Sequence, residues 1–392
     1  MFIEKFKFIK DIKKLFLFMA LLFTASYILP MAQEKKQDQF AKYDENFKEF
    51  DSMCLKNGIK IFKFINRGLE KIIYAVQING EWLACSFYAP YKVKNGEPKE
   101  FNPSKVLENF EKDIKLFKKI QKLEKKYPDK KTNLISFRGE GHKISKRDNK
   151  IERVTLFTIT ELGITDLNEY IFKNKFNLNK SINTKLNLAI DTANGIYTFH
   201  KLHLIHRDIK PGNIIIVPES ENKFYAVITD FSFAKKFKTK VNFVAFDNLN
   251  GTNKYLAPEN ISQLRQQVQI NKEYPEVNPL IYTDPNVDIY ALGVTLYELF
   301  YEKPYDNELR KKLTEENSKF NLSFSNDDYL EHFFEYIRKG NRPALDNNLV
   351  PEEINNIIKA CLAQEPEDRP TAKEVLNALT AIKEDLDKKT EN

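Results

Sequence analysis

Two acidic residues and an asparagine flank two neighbouring segments that are rich in apolar residues. Asp208 lies in the stretch His206–Asn213, just before the apolar run Ile214–Val217, and Asp230 follows the next apolar run. Both runs have the composition of strands, and the ends of neighbouring strands lie close together. We therefore expect the two carboxylates and the Asn213 amide to converge. Such a set can hold Mg²⁺ on a triphosphate and orient a hydroxyl, so the pattern predicts phosphoryl transfer.

These residues resemble the motifs of the eukaryotic-type protein kinase family. Here, as in that family, a lysine follows the first Asp by two positions and an asparagine follows it by five. The resemblance extends over about residues 58 to 383 and implies an ion pair between Arg369 and Glu259. Its other matching segments are Gly251–Glu259 at the end of an activation segment, Asp288–Val294 at the start of a buried central helix, Gly340–Pro343, and Cys361–Thr371.

The resemblance implies a role for each matching residue of the larger lobe. Asp208 would accept or orient the proton of the substrate hydroxyl, and Lys210 would steady the transferring phosphate. Asn213 and Asp230 would hold Mg²⁺ on ATP. Lys210 together with Thr252 implies specificity for serine and threonine.

The smaller lobe departs from the family pattern at three places, on its third strand, in its glycine-rich loop and on the helix after the third strand. Ser86 stands where the family has its phosphate-binding lysine on the third strand, and a neutral hydroxyl cannot replace that cation. The glycine-rich loop keeps Gly68 but has Asn66 and Lys71 in the positions of the first and third glycines. Fewer glycines should make the loop less able to cover phosphates.

Lys71 is our candidate for the missing cation. Its position resembles the with-no-lysine kinases, in which a loop lysine replaces the one on the third strand. Attraction to phosphate depends on where the ammonium lies and not on which strand carries it. The alternatives are that Lys71 is an ordinary solvated lysine, or that Lys92 turns back toward the phosphates.

The helix that follows should supply the acidic partner of that lysine. In the family this residue is a glutamate with an apolar residue one turn later. Asp113 has Phe117 at that offset, whereas Glu108 and Glu111 are each followed by a lysine. Asp113 therefore takes the position, with a side chain one methylene shorter.

Other assignments rest on position alone. Thr160 would line the adenine pocket, with Glu161 and Gly163 in the segment whose backbone meets the base. Arg207 suggests an activation loop ordered by phosphate, with Thr239 as the candidate acceptor. We interpret Gln263–Leu280 as a polar insertion near the substrate-docking face, and the alternative is an ordinary surface loop.

Apolar periodicity and turn signals predict an α+β, bilobal protein kinase-like fold. Residues 59–65, 72–78 and 82–88 have strand patterns, and Asn79-Gly80 predicts a two-residue hairpin turn. Asn102-Pro103 predicts the start of a helix that reaches about Tyr127. With two further strands, Leu134–Phe137 and Val154–Thr160, these form a small lobe of a five-stranded antiparallel sheet and one helix. The larger lobe is mainly helical, with predicted helices at 181–203, 285–301, 328–339, 352–363 and 371–384.

The chain divides into four predicted regions. Residues 1–32 are an export signal or membrane anchor, and 33–57 form an N-terminal extension. The kinase domain covers 58–383, with a small lobe at 58–160 and a large lobe at 164–383. A charged tail, 384–392, ends the chain.

The N-terminal region has the layout of an export signal. Residues 1–14 carry five lysines, and the uncharged apolar run that follows ends near Pro30. This predicts export or secretion; if residues 15–32 are uncleaved, they would anchor the protein in a membrane.

Composition limits the class of protein. The chain has 392 residues, 42% hydrophobic and 30% charged, with 31 Phe and 18 Tyr that need burial. Low-complexity disorder, collagen and multi-pass membrane proteins are excluded. Residues 1–14 carry almost half of the net charge of +7, and the weak remainder is spread along the chain, which argues against a nucleic-acid partner. Cys54, Cys85 and Cys361 are predicted to be buried thiols.

The sequence thus predicts an ATP- and Mg²⁺-dependent serine/threonine protein kinase that acts on a protein substrate. The rival hypothesis is a pseudokinase, which would use the same fold as a binding or scaffold module. A small-molecule kinase is a third reading, against which the Lys210, Thr252 and Ala257-Pro258-Glu259 set argues.

Overall fold

The structure is a computed structural model that describes residues 45–67, 71–88, 91–94, 97–100, 102–173, 178–220, 223–237, 243–244, 253–273, 281–320 and 326–391. The chain forms two compact units. The first contains the described residues up to Lys131, together with Ile135–Ile164 and Ile216–Phe224. The second contains Thr132–Leu134, Thr165–Ile215 and the described residues from Tyr225 onward.

A five-stranded antiparallel sheet is the framework of the first unit, as predicted. In chain order, the elements up to residue 161 are α1 (Glu45–Lys56), β1 (Ile59–Arg67), β2 (Lys71–Ile78), β3 (Glu81–Tyr88), β4 (Tyr91–Lys94), β5 (Glu97–Glu100), α2 (Pro103–Lys126), β6 (Phe137–Arg147) and β7 (Lys150–Glu161). The sheet has the order β1-β2-β3-β7-β6, and β4 and β5 form a separate hairpin.

Local sequence signals account for the turn and the helix of this unit. Asn79 and Gly80 have φ of 50° and 85°, the left-handed conformation that a two-residue hairpin turn requires. The side chain of Asn102 accepts a hydrogen bond from the Ser104 amide at 2.9 Å, and Pro103 occupies the first helical turn of α2. The predicted hairpin and helix are both confirmed.

The two helices cover opposite faces of the sheet. Phe50 and Cys54 of α1 are fully buried in a cluster that contains Phe87 of β3. The next residue, Tyr88, points to the other face, where its ring meets Phe110 of α2 at 5.2 Å between centroids. The sheet is therefore a central layer, and the face toward α2 carries the candidate site residues of this unit.

The predicted strand Leu134–Phe137 is wrong in its bounds. Leu134 takes part only in an isolated bridge, whereas β6 begins at Phe137 and continues to Arg147. Asp148 and Asn149, with φ of 49° and 61°, form the two-residue turn into β7. The hairpin was missed because charged residues and two glycines weaken the strand pattern of β6.

The chain from Thr165 onward is mainly helical. Its elements are β8 (Thr165–Asp166), α3 (Leu167–Phe172), α4 (Ile182–Lys201), β9 (Leu204–Ile205), β10 (Ile214–Ser220), β11 (Lys223–Ile228), β12 (Lys235–Lys236), β13 (Phe243–Val244), α5 (Pro258–Glu273), β14 (Ile281–Tyr282), α6 (Asn286–Tyr301), α7 (Asn307–Phe320), α8 (Asn326–Arg338), α9 (Glu352–Cys361) and α10 (Ala372–Glu391). Strand β10 lies between β11 and β8 in a small sheet. The predicted α+β class is confirmed.

Helix α6 is the core of the second unit. Every residue from Val287 to Tyr301 is buried, which fits a sequence that is apolar around the whole helix. Gly293 permits close packing against α9, since a Cβ there would lie 2.8 Å from the Cβ of Cys361. The predicted buried central helix is thus confirmed.

Three details of the second unit differ from expectation. The predicted loop Gln263–Leu280 is wrong in its first part, because α5 continues to Glu273. Arg265 of α5 binds Glu335 of α8 at 2.9 Å, which holds this helical extension in place. Helix α7 was not predicted because its sequence is charged on most sides. Helix α10 continues to Glu391, so most of the predicted charged tail is helical.

Within the described residues, no helix is long and apolar enough to cross a membrane. The predicted export signal, residues 1–32, lies outside the described part of the chain. Export or anchoring therefore stays a prediction.

The hairpin of β6 and β7 offers a matched test of the packing. A Cβ at Gly141 would overlap the buried ring of Phe157 on β7, whereas a Cβ at Gly139 on the same strand meets nothing within 4 Å. Gly141→Ala should lower the free energy of unfolding by about 1–3 kcal/mol, because the core must shift. Gly139→Ala should change it little. Urea denaturation measures both, and equal effects of the two substitutions would contradict this packing.

Candidate active site

Three predicted residues converge in the loop between β9 and β10. Lys210 Nζ lies 2.7 Å from Oδ2 of Asp208. The short 3₁₀ turn Pro211–Asn213 folds the chain back, so Asn213 Nδ2 donates to Oδ2 of Asp208 and to its main-chain oxygen, both at 2.8 Å. The Asp208 carboxylate is therefore held by a cation and an amide.

Asp230 follows the adjacent strand, β11. The Thr229 amide donates to the main-chain oxygen of Asn213 at 2.9 Å, which places the backbones of the two predicted metal-binding residues side by side. Asp230 has φ of 60° and ψ of 75°, a left-handed conformation that is uncommon for a residue with a side chain. Its Oδ1 accepts a hydrogen bond from the Ser232 hydroxyl at 2.7 Å.

The donor atoms fit Mg²⁺. Both partners of the Asn213 amide nitrogen are acceptors, so its Oδ1 is the atom that would face a metal, together with carboxylate oxygen of Asp230. Among the described residues, no group of three or more His, Cys, Asp or Glu side chains could hold a metal ion. Mg²⁺ typically binds through one or two side-chain oxygens plus substrate phosphates and water. An amide and a carboxylate are sufficient for that mode.

A buried carboxylate fixes the backbone of this loop. Asp288 of α6 accepts hydrogen bonds from the His206 and Arg207 amides, both at 2.8 Å, and lies 2.9 Å from His200 Nε2. Burial favours the neutral acid, but the hydrogen bond from His200 and the neighbouring positive charge outweigh it, so the pKa of Asp288 is lowered. Asp288 thus remains an anion that holds the segment before Asp208.

His206 and Arg207, just before Asp208, are held by contacts within the protein, and His206 is buried. The ring of His206 lies 5.8 Å from that of Phe231 and 5.5 Å from that of Phe199, in agreement with a packing role. Arg207 has φ of 68°, and its Nε donates to the main-chain oxygen of Phe233 at 2.7 Å. Burial lowers the pKa of the Arg207 guanidinium to about 10. Thr239, the candidate phosphate acceptor, lies outside the described residues.

The end of the activation segment is attached to α6 by a carboxylate that sequence reasoning missed. Glu298 is fully buried and accepts hydrogen bonds from Lys254 Nζ at 2.8 Å and the Tyr255 hydroxyl at 2.6 Å. Burial, with the nearby Glu298 charge, raises the pKa of Tyr255 well above its usual value. A glutamate within the apolar α6 sequence was the available signal. Thr252 lies outside the described residues.

The predicted pair of Arg369 and Glu259 is confirmed. Both terminal nitrogens of the guanidinium lie 2.8 Å from the two carboxylate oxygens of Glu259. This two-point contact is the strong geometry for an arginine and a carboxylate. It joins the segment after α9 to the start of α5.

The first unit contains the second group of predicted residues. Lys71 Nζ lies 2.6 Å from Oδ2 of Asp113, and the two side chains are only 19% and 7% exposed. Lys71 is therefore not an ordinary solvated lysine. Tyr88 also donates to Oδ2 of Asp113, at 2.6 Å. Sequence reasoning missed Tyr88, whose only signal was its position at the end of β3.

Ser86 lies on β3 between Ile73 of β2 and Thr158 of β7. It carries no charge, so the third strand supplies no ammonium at that position. The candidates Gly68 and the side chain of Lys92 lie outside what the structure describes.

The predicted adenine-binding segment ends β7. Thr160 is buried and pairs with Ala84 of β3. The Glu161 amide donates to the Ser136 carbonyl at 3.0 Å, and the Glu161 carboxylate accepts from the Ser136 amide at 2.6 Å. Glu161 thus fixes the segment that continues to Gly163.

Comparison with known proteins places these motifs in context. The family model described as "Protein kinase domain" matches residues 148–379. A probable serine/threonine-protein kinase of Dictyostelium discoideum is 25% identical over 333 residues, which are 83% of this chain and 15% of the relative. The interferon-induced, double-stranded RNA-activated protein kinase of Mus musculus is 28% identical over 207 residues, 53% of this chain and 31% of the relative. A serine/threonine-protein kinase of Arabidopsis thaliana is 24% identical over 302 residues, which are 76% of this chain and 56% of the relative. The matched part is less than two thirds of each relative's own length.

Asp288→Asn tests the anchoring of the loop. The substitution should lower the free energy of unfolding at pH 7 by about 3 kcal/mol, because buried donors lose their charged acceptor. A lowered folded-state pKa means that the stabilisation from Asp288 is present above the unfolded-state pKa, about 4, and is lost as the pH falls through the folded-state value. The difference between wild type and variant should therefore shrink below about pH 4.

Asp385→Asn is the matched control, since Asp385 is 71% exposed. It should change stability by less than about 0.5 kcal/mol at any pH. Chemical denaturation across a pH series gives both values. A deficit for Asp288→Asn that does not depend on pH would contradict the assignment.

Proposed function

The chain belongs to the protein kinase family, and on that premise we propose that it transfers the terminal phosphoryl group of ATP to serine or threonine hydroxyls of a protein substrate. The observation that carries the proposal is the convergence of Lys210 and Asn213 on the carboxylate of Asp208. Phosphoryl transfer depends chiefly on positioning and on neutralising charge, and this arrangement provides both.

Asp208 would orient the attacking hydroxyl. Lys210 and Asn213 both contact Oδ2, which would leave Oδ1 for the substrate hydroxyl. The substrate oxygen forms a bond to the terminal phosphorus, the bond from that phosphorus to the bridging oxygen of ADP breaks, and the hydroxyl proton passes to Oδ1. Lys210 would contribute positive charge beside the transferring group.

Asn213 and Asp230 would hold Mg²⁺ through side-chain oxygens. When bound, the metal ion supplies positive charge that offsets the charge on the phosphate oxygens. Their backbone contact, from the Thr229 amide to the Asn213 carbonyl, would keep the two ligands in register.

Lys71 would supply the ammonium that the third strand lacks. The proposal is supported by its short contact with Asp113, which matches the acidic partner expected on the following helix. The low exposure of both side chains fixes the ammonium in one place and reduces screening by water. Ser86 would have no role in contacting phosphate.

Serine/threonine specificity is supported by Lys210 and by two of these relatives, from Dictyostelium discoideum and Arabidopsis thaliana, which are described as serine/threonine-protein kinases. The relatives extend well beyond the matched region. A protein substrate and kinase activity are therefore proposed for this chain and not carried over from them.

The relocated lysine is tested by two substitutions. Lys71→Met should reduce phosphoryl transfer to a generic protein substrate by about 100-fold or more, because the phosphates lose a positioned cation. Ser86→Ala should leave the rate close to that of the wild type. Incorporation of labelled phosphate from Mg-ATP measures both variants, with melting temperature as the check on folding.

If Ser86→Ala abolished transfer and Lys71→Met kept it, the proposed role of Lys71 would be refuted. The proposal that the protein is a kinase would stand. A wild-type protein that binds ATP but labels neither itself nor a protein substrate would favour the pseudokinase.

A further inference from the structure

Tyr88 lies directly opposite Lys71 in the register of β2 and β3. Cross-strand partners point to the same face of a sheet, so both side chains face α2. The Tyr88 hydroxyl donates to Oδ2 of Asp113 at 2.6 Å, the same oxygen that Lys71 Nζ contacts at 2.6 Å. Lys71 Nζ also lies 5.0 Å from the centroid of the Tyr88 ring.

The side chain of Tyr88 is held rigidly. It is 1% exposed, and its ring packs edge-on against Phe110 at 5.2 Å between centroids. Burial raises the pKa of the Tyr88 hydroxyl well above its usual value, so the hydroxyl keeps its proton. Tyr88 therefore remains a fixed donor to Asp113.

Two contacts from one residue define the position of the ammonium. The hydroxyl fixes the shorter side chain of Asp113 on α2, and the ring face attracts the cation of Lys71. Lys71 starts from β2 and not from the third strand, and Asp113 is one methylene shorter than the family's glutamate. A third group that holds both in place compensates for these differences.

We propose that Tyr88 is a positioning residue for the phosphate-contacting ammonium of Lys71, acting through Asp113 and through its own ring. This inference rests on the proposed function, since it gives Lys71 its role toward the ATP phosphates. Nothing in the motif set assigns Tyr88 a part in nucleotide binding.

Tyr88→Phe tests the inference in the full-length chain. The substitution removes only the hydroxyl and keeps the ring. The affinity for Mg-ATP, measured by titration calorimetry, should fall about tenfold, because a hydrogen bond to a charged group is lost. The affinity for adenosine, which has no phosphate, should stay the same. Adenosine binding and the melting temperature also show whether the variant is folded.

Tyr301→Phe is the matched control. Tyr301 is also a buried tyrosine whose hydroxyl donates to a side-chain oxygen, that of Asn355 at 2.9 Å, but it lies at the end of α6. Its loss should lower stability without changing affinity for ATP. A cycle that combines Tyr88→Phe with Lys71→Met should be non-additive, because Tyr88 acts through that ammonium.

The outcomes separate the two proposals. If Tyr88→Phe weakens ATP and adenosine equally, or behaves like Tyr301→Phe, or adds fully to Lys71→Met, the role of Tyr88 is refuted while phosphoryl transfer stands. If the wild type binds ATP without transferring phosphate, the proposed function fails and the binding data still decide the role of Tyr88. If the wild type binds no ATP, both are refuted.

Discussion

The geometry around Asp208 depends on the hydrogen bonds that the buried carboxylate of Asp288 accepts from the preceding main chain. This carboxylate sits on α6, the most buried helix described in the second unit, and accepts two main-chain hydrogen bonds from the loop that leads to Asp208. A charged acceptor in a buried setting favours one backbone conformation over all others. The positive φ of Arg207 is held in this way. The next residue is Asp208, whose carboxylate contacts Lys210 and Asn213.

The first unit solves a different electrostatic problem. One carboxylate oxygen of Asp113 on α2 contacts both Lys71 on β2 and the hydroxyl of Tyr88 on β3. All three side chains are largely buried. A buried ion pair is favourable only where its geometry is good and its remaining hydrogen bonds are satisfied. The Tyr88 hydroxyl satisfies one of these. Position 86, where the family has a lysine, is a serine. The same unit nevertheless contains a lysine paired with a carboxylate, Lys71 with Asp113.

Much of this architecture was predictable because the signals are local. The Asn79-Gly80 turn, the Asn102-Pro103 helix start and the all-round apolar pattern of α6 each specify their element within a few residues. The family and its fold were predictable for a similar reason, since the motif from His206 to Asn213 has a fixed spacing. Both predictions are confirmed, the family by its matching model.

The parts that could not be predicted depend on contacts between distant residues. Helix α7 and strand β6 have charged sequences, and only tertiary packing selects their conformation. The partners of Asp288 and Glu298 lie far from them along the chain. Tyr88 was missed because a tyrosine in a strand is usually a core residue, and only its register with Lys71 reveals another use.

The central claim is that the carboxylate of Asp208 orients a protein hydroxyl for phosphoryl transfer. Its most direct test is the transfer of labelled terminal phosphate from Mg-ATP to serine and threonine residues by the wild type and by Asp208→Asn, with ATP affinity measured on the same samples. The account predicts labelled serine or threonine with the wild type, and loss of transfer with unchanged ATP affinity in the variant. Equal transfer by both proteins would contradict it.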